Sequence, residues 1–508
     1  MASTYLTPGV YVEEVDRGTK PIEGVGTAVA AFLGVAEKGP IGKATMIANW
    51  TQFTEVFGGF VPGSYMAASV YGYFNNGGTL CFIVRVGSED AEELAAPVAT
   101  AELSARAAGN PVTLKAIARE AGGEPISLEV TDGPDDSFNL SVKRGGTEEK
   151  FEGLTLARGA KNAIEVVNKQ STLVTLEEVR VTGVAIPERI PAPGTYPLAV
   201  TSSQALVPVN PAQYQGEVAD RTGLGGLEAI DQVTMVVAPD VMAAYQNGAL
   251  DRDGVKAVQL AMISHCERMG DRVAILDPLP DLNAQQVYDW RQTETGYDSK
   301  YAALYYPWIQ VANPYPGATS TSIFMPPSGH MAGIWARNDS ERGVHKAPAN
   351  EIVRGAMGLA LNLTPSEQGV LNPVGINAIR AFPGRGIRVW GARTLSSDGS
   401  WRYINVRRLF NFVEKSIYNG TQWVVFEPND IFLWGKIRRD VNAFLTRVWM
   451  DGALFGLTPA QAFFVKCDAE NNPSATRDVG QLFIDIGIAP VKPAEFVIFR
   501  IGQYNPEA

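Results

Sequence analysis

The sequence predicts an α/β core, a mixed sheet with flanking helices built from the N- and C-terminal parts of the chain, carrying an inserted mainly-β domain. Three observations lead there. Short uninterrupted apolar runs alternate with stretches of helical period after residue 230, the pattern of strands buried on both faces. Between Glu89 and Val200 the only aromatics are Phe138, Phe151 and Tyr196, although the chain has 21 Phe, 17 Tyr and 9 Trp, so the composition changes there. The same window holds 18 Asp plus Glu against 11 Lys plus Arg, so 18 − 11 = 7 of the 11 net negative charges lie in it.

The elements follow in order. Val233 to Ala238 (VTMVVA) is a strand, Gly254 to Met269 a helix and Arg272 to Leu276 (RVAIL) a strand, which makes a βαβ unit. A helix from about Ala284 and an aromatic strand, Tyr301 to Tyr306, extend it. Ile387 to Leu395 reads as a strand, Tyr403 to Tyr418 as a helix and Asn429 to Met450 as a longer amphipathic helix. Ala462 to Cys467, Gln481 to Ile488 and Glu495 to Ile501 read as closing strands. Within the acidic window, Ile126 to Val130 (ISLEV) and Phe138 to Val142 (FNLSV) alternate with period two between glycine-rich turns, as β-structure does. The proline-rich Ile186 to Pro197 reads as the exit linker of a solvent-facing insertion. No short-period repeat suggests a solenoid or propeller.

Composition excludes several function classes. At 508 residues, 45% hydrophobic and 19% charged, the chain reads as globular with two or three domains. No run of 18 apolar residues is present, and Met1 to Val12 has neither a basic n-region nor an apolar h-region, so cytoplasmic synthesis without membrane insertion is expected. A net charge of −11 argues against wrapping nucleic acid. Cys81, Cys266 and Cys467 are too few and too scattered for a disulfide framework or a metal knuckle, and read as reduced, buried thiols.

The search for chemistry ends without a site. His265, His330 and His345 are widely scattered, and neither HExxH nor GxSxG occurs. The glycines around Gly42-Lys43 are followed by Ala44 and lack phosphate-loop spacing; Gly223 to Gly226 follows no strand and reads as a loop. Asp251 to Gly254 lacks the closing acid of a calcium loop, so Asp251 is expected to cap a helix. His265 and Cys266 are helix neighbours projecting about 100° apart, poorly placed to act together. No cofactor and no metal are expected.

Several longer stretches carry a resemblance. Pro326 to Asn350 reads PPSGHMAGIWARNDSERGVHKAPAN, and Leu371 to Arg393 reads LNPVGINAIRAFPGRGIRVWGAR. Trp401 to Phe410 (WRYINVRRLF), Phe426 to Trp434 (FEPNDIFLW), Phe463 to Asp468 (FFVKCD) and Ala489 to Phe499 (APVKPAEFVIF) follow, with PGVYVEEV at Pro8 and PIEGVG at Pro21 near the N-terminus. In this order they resemble the contractile tail sheath family over most of the chain apart from residues 89 to about 215. A single chain carrying all of them is similar to sheaths of phage tails and of extracellular contractile injection systems. The wording around Ala48 to Phe57 and Tyr71 to Phe74 leans toward the latter. Type VI secretion sheaths divide the role between two chains. The competing classes are an α/β enzyme with an acidic lid domain and a static tube or capsid protein.

The resemblance implies a non-enzymatic subunit that stacks as six-fold rings in a helical cylinder around an inner tube, bounded by baseplate and terminal cap proteins, and collapses to a shorter, wider state. It would be assembled in the bacterial cytoplasm as part of a phage-tail-like particle. It also implies a division into an N-terminal arm (1–20), a sheath α/β domain (21–88 and 215–365), the acidic outer insertion (89–214), a C-terminal core (366–493) and a C-terminal arm (494–508). Arms of such sheaths enter a neighbour's sheet, which points to Val10, Tyr11 and Val12 at one end and Phe496, Val497, Ile498 and Phe499 at the other. A C-terminal helix of such sheaths lies against the tube. On the helix Asn429 to Met450, Trp434, Ile437, Val441, Phe444, Leu445 and Val448 make the apolar stripe, while Lys436, Arg439, Asp440 and Arg447 lie opposite. Lys436, Arg439 and Arg447 are therefore the expected tube contacts. Arg337, Asp339, Arg342 and Arg393 are expected either to tie loops within one subunit or to link neighbours.

Overall fold

The computed structural model describes residues 21–87, 99–106, 111–119, 125–134, 136–157, 159–179, 186–198, 210–315 and 320–500. The expected exchange residues Val10, Tyr11 and Val12 lie outside these. The described residues form two compact units, one within residues 28–341 and 348–404, the other of residues 21–27, 342–347 and 405–500.

The larger unit is built on an eight-stranded sheet. Its order is Gly386–Val389, Ile376–Phe382, Ala302–Tyr306, Val273–Leu276, Met235–Val237, Ala30–Gly34, Cys81–Arg85, Thr45–Ile47. The six central strands are parallel and the two edge strands antiparallel. Uninterrupted runs such as VAIL and AALYY are the sequence consequence of a sheet covered on both faces. Alternate residues point into two separate cores: Ala31, Leu33, Val236, Leu276 and Leu304 on one side, Phe32, Val237, Ile275 and Tyr305 on the other.

The helices that cover this sheet are closed by their own sequences. Arg252–Met269 starts at Asp251, whose side chain accepts from Gly254 N at 2.7 Å, and stops at Gly270 in the left-handed conformation. Met66–Asn75 and Ser328–Arg342 approach closely through small residues: a Cβ on Gly329 would lie 2.7 Å from the Ser69 carbonyl oxygen, and one on Gly333 would lie 2.4 Å from that of Tyr73.

Two helix N-termini in this unit are closed by buried carboxylates. Asp240, just beyond Met235–Val237, accepts from Val35 N (2.6 Å), Ser64 Oγ (2.7 Å), Tyr65 N and Met66 N (3.0 Å). Asp277, just beyond Val273–Leu276, accepts from Ser328 N at 2.9 Å and from the Ser328 hydroxyl. Burial pushes Asp240 up to about 6, against donors that favour its charged form, and Asp277 up to about 7.

Residues 99–198 form two antiparallel sheets, Thr100–Ser104, Val112–Ala118, Val174–Glu178 and Gly194–Pro197, Ile126–Asp132, Phe138–Arg144, Thr147–Leu154. They share a core that includes Leu103, Leu114, Leu128, Phe138, Leu140 and Leu176. Ile186 to Pro197 is not a linker: Ile186–Arg189 is a helical turn, and Gly194–Pro197 pairs with the strand at Ile126, Tyr196 opposite Leu128. Proline is tolerated at such a sheet edge because no ladder donor is needed on the open side.

Other expectations shift at their margins. The strand expected over Ile387 to Leu395 ends at Val389, where its ladder with Ile376–Phe382 closes on the pair Ile379 and Val389. Ile376–Phe382 pairs with Ala302–Tyr306 and so belongs to the large sheet, and the larger compact unit runs to Ile404. Gly223–Gly226 is one helical turn, not a loop.

In the smaller unit, Ile404–Gly420 and Ile431–Met450 pack around a core of Leu409, Val413, Leu433, Trp434, Ile437, Val441, Phe444 and Leu445. A two-stranded antiparallel sheet, Phe463–Lys466 with Asp485–Ile488, completes it. The Phe464 ring lies over Gly487, where a Cβ would come within 2.1 Å of it. Glu495 to Ile501 was expected as a strand; residues 491–500 pair with no strand, and Ile501 lies outside the described residues.

Candidate assembly surface

The helix Ile431–Met450 is capped by Asp430, whose carboxylate accepts from Phe432 N at 2.9 Å and Leu433 N at 2.8 Å. Its buried side is the predicted stripe with Leu433 added. Lys436, Arg439 and Arg447 are exposed, but their surroundings differ. Arg439 Nε donates to Asp440 Oδ1 at 3.2 Å, which neutralises part of its charge. Arg447 Nη2 donates to the backbone carbonyl of Ile22 at 2.6 Å. Phe432 and Met450 stand on the same outward face, both exposed, so that face is basic in its middle and apolar at its ends.

The C-terminal segment offers a second surface. Phe496, Val497, Ile498 and Phe499 are 71%, 68%, 78% and 84% exposed, an apolar run left largely open to solvent. Phe455, Leu457 and Phe464 are exposed in the same unit, near the two-stranded sheet that Leu454 and Pro490 prolong by one bridge. A two-stranded sheet is marginal by itself in water, and a long apolar segment at a free edge invites another chain.

The polar residues singled out in the larger unit serve its interior. Arg337 donates to the carbonyls of Asn76 at 3.1 Å and Ile352 at 2.7 Å. Arg393 takes the Asn377 side chain on its backbone N–H at 2.6 Å and gives Nη1 to Asn372 O at 3.2 Å. Both tie loops within the chain, one of the two roles the sequence left open, while Arg342 is exposed. His265 is buried and pushed down to about 3 by burial and the positive charges of Arg272 and Arg268. Burial likewise lowers His330 to about 4 and raises the thiols of Cys81, Cys266 and Cys467, which keeps them protonated. A cleft of about 460 Å³ lined by Gly216, Leu224, Glu228, Ser264, His265 and Arg268 carries one charged pair, Arg268 with Glu228, already joined to each other. Among the described residues no group of three or more His, Cys, Asp or Glu is placed to hold a metal ion, and no helix is long and apolar enough to cross a membrane.

Comparison with known proteins agrees with this picture. The phage tail sheath protein central domain matches residues 222–395, and the phage tail sheath C-terminal domain matches residues 396–503. The tail sheath protein of Burkholderia phage BcepMu is 25% identical over 531 residues, covering 98% of this chain and 97% of that one. The tail sheath protein of Vibrio phage KVP40 is 30% identical over 189 residues, 36% of this chain and 27% of that one. Among solved structures, the anti-feeding prophage helical sheath in its contracted state superposes with a TM-score of 0.60 at 22% identity, covering 99% of this chain and 100% of that one. The contracted PVC sheath complex of an extracellular contractile injection system gives 0.60 at 24% identity, covering both chains completely.

These matches define a structural component of phage-tail-like contractile particles, not an enzyme. The chain belongs to the phage tail sheath protein family.

Proposed function

We propose that this sheath subunit polymerises as stacked six-fold rings around an inner tube and shortens on triggering, driving the tube through a target envelope. Assembly takes place in the bacterial cytoplasm, between a baseplate and a terminal cap. The energy comes from differences between subunit interfaces in two lattices, with no cofactor or bond hydrolysis. The larger unit, packed on both faces of its sheet, is the stiff part that rotates. The chain ends are the tethers. The observation that carries the reading is the exposed run Phe496 to Phe499: four consecutive apolar side chains without cover need a partner, and main-chain pairing to a neighbour's sheet tolerates rearrangement of the side chains around it. Val10, Tyr11 and Val12 would make the complementary exchange at the other end. Lys436 and Arg439 would meet acidic groups of the tube through exposed ion pairs, individually weak and therefore releasable.

Deletion of Met1 to Thr19 tests the exchange. The truncated chain should fold and remain soluble yet form no contractile cylinders; normal extension and contraction would refute the arm's role.

A further inference from the structure

Residues 21–27 have no regular secondary structure, yet they are held at several points by the two helices of the smaller unit. Ile22 is buried in the core with Leu409 and Val413, and a Cβ on Gly420 would lie 2.7 Å from its side chain. Gly24 passes so close to Phe412 that a Cβ there would meet the ring at 2.9 Å. Three hydrogen bonds fix the backbone itself. Arg447 Nη2 donates to Ile22 O at 2.6 Å, and Arg408 Nη2 donates to Thr27 O at 2.9 Å. Between them, Val25 N–H donates to Ser416 Oγ at 3.1 Å; because that hydroxyl gives its proton to Phe412 O at 2.7 Å, its lone pairs are free to accept.

We infer that Arg447, Arg408 and Ser416 are positioning residues that anchor the root of the N-terminal arm. This rests on the reading of residues 1–20 as an exchanged arm. The grips fall at positions 22, 25 and 27, so freeing the whole segment requires all three to open. The carbonyl bonds are charge-assisted and stronger than neutral ones. Two grips act on carbonyls and one on an amide, so the backbone is held irrespective of which side chains the arm carries beyond it. Arg447 thereby belongs to the arm and not to the tube, and it joins the arm root directly to the helix Ile431–Met450.

Hydrogen exchange on the full chain tests the anchor before any assembly. Arg447→Gln and, independently, Gly420→Val, which displaces Ile22, should speed exchange of the Val25 amide by about tenfold or more while amides within Ile431–Met450 keep their rates. Arg447→Lys, which unlike Gln keeps both the positive charge and the reach to the carbonyl, should restore most of the protection. In cylinders, Arg447→Gln should assemble but break into short lengths on contraction, and Arg447→Lys should stay continuous. Unchanged Val25 exchange in both first variants would overturn the anchor, and intact contracted cylinders with Arg447→Gln would overturn its positioning role. If removal of Met1 to Thr19 leaves assembly normal while Arg447→Gln still accelerates Val25, the arm reading fails and the clamp stands as a local feature only.

Discussion

Ser64 donates its hydroxyl to the carboxylate of Asp240 across 2.7 Å, joining the start of the helix Met66–Asn75 to the end of the strand Met235–Val237. With Asp277 on Ser328, it makes stability depend on pH in a definite way. Asp240 and Asp277 stand at about 6 and about 7 in the fold against an ordinary 3.8, so both favour the protonated native state, and their contribution is lost as pH rises through those values. His265 and His330, at about 3 and about 4 against 6.5, act in the opposite sense and lose stability as pH falls below 6.5. The two pairs nearly offset each other, so urea unfolding of the wild type should show stability almost constant from pH 8 to about 5. In Asp277→Asn the histidines are no longer matched, and stability should fall as pH is lowered from about 7. An unchanged profile would contradict the assignment.

Gly329 and Gly333 allow two helices to touch through backbone, and neither neighbour can retreat because the obstructing atoms include main-chain carbonyls. Gly333→Val should cost about 1–3 kcal/mol in urea unfolding, the usual scale of overpacking. Gly146→Val, where a Cβ meets nothing, should cost much less.

What the sequence revealed and what it hid follow from the range of the interactions. Parallel strands such as VAIL declare themselves because both faces are buried, and the stripe from Trp434 to Val448 emerges from helical period alone. Arg447 is outward by its angle around the helix and is exposed, and it also grips a backbone carbonyl. Its partner carbonyl lies 425 residues away, which no local pattern encodes. The edge strand Gly194–Pro197 was hidden by prolines that also suit linkers, and Glu495 to Ile501 has strand character with no strand partner among the described residues of its own chain.

The insertion from about Glu89 to Val200 should be dispensable for polymerisation. Its excess of acid and dearth of aromatics suit solvent better than a lattice contact, and the β-sheets there have a core of their own. Joining Gly87 to Gln213 through a short flexible linker should leave cylinders visible by negative-stain microscopy. A folded core that forms none would show that the insertion makes lattice contacts.

Charge reversal at Lys436 and Arg439 should impair assembly of the sheath on tubes, with the deficit greatest at low salt, where exposed pairs act most strongly. Co-sedimentation with tube protein at low and moderate salt measures this. Arg447→Glu should act differently, disturbing the arm root even without tubes. Equal behaviour of all three in tube binding would restore Arg447 as a tube contact.

Phe496→Ser with Ile498→Ser should change the unfolding free energy of the isolated subunit by less than about 0.5 kcal/mol, because both side chains are exposed. The same pair should abolish cylinders. Assembly at wild-type yield would leave the segment without a role.

The exchange of strands through contraction is tested most directly by electron cryomicroscopy of cylinders grown from the full chain, solved before and after triggering. The account predicts two lattices, with Phe496 to Phe499 paired in both as a strand against the sheet Phe463–Lys466 and Asp485–Ile488 of a neighbouring copy. A single lattice in both preparations, or a segment folded back onto its own subunit's sheet, would contradict it.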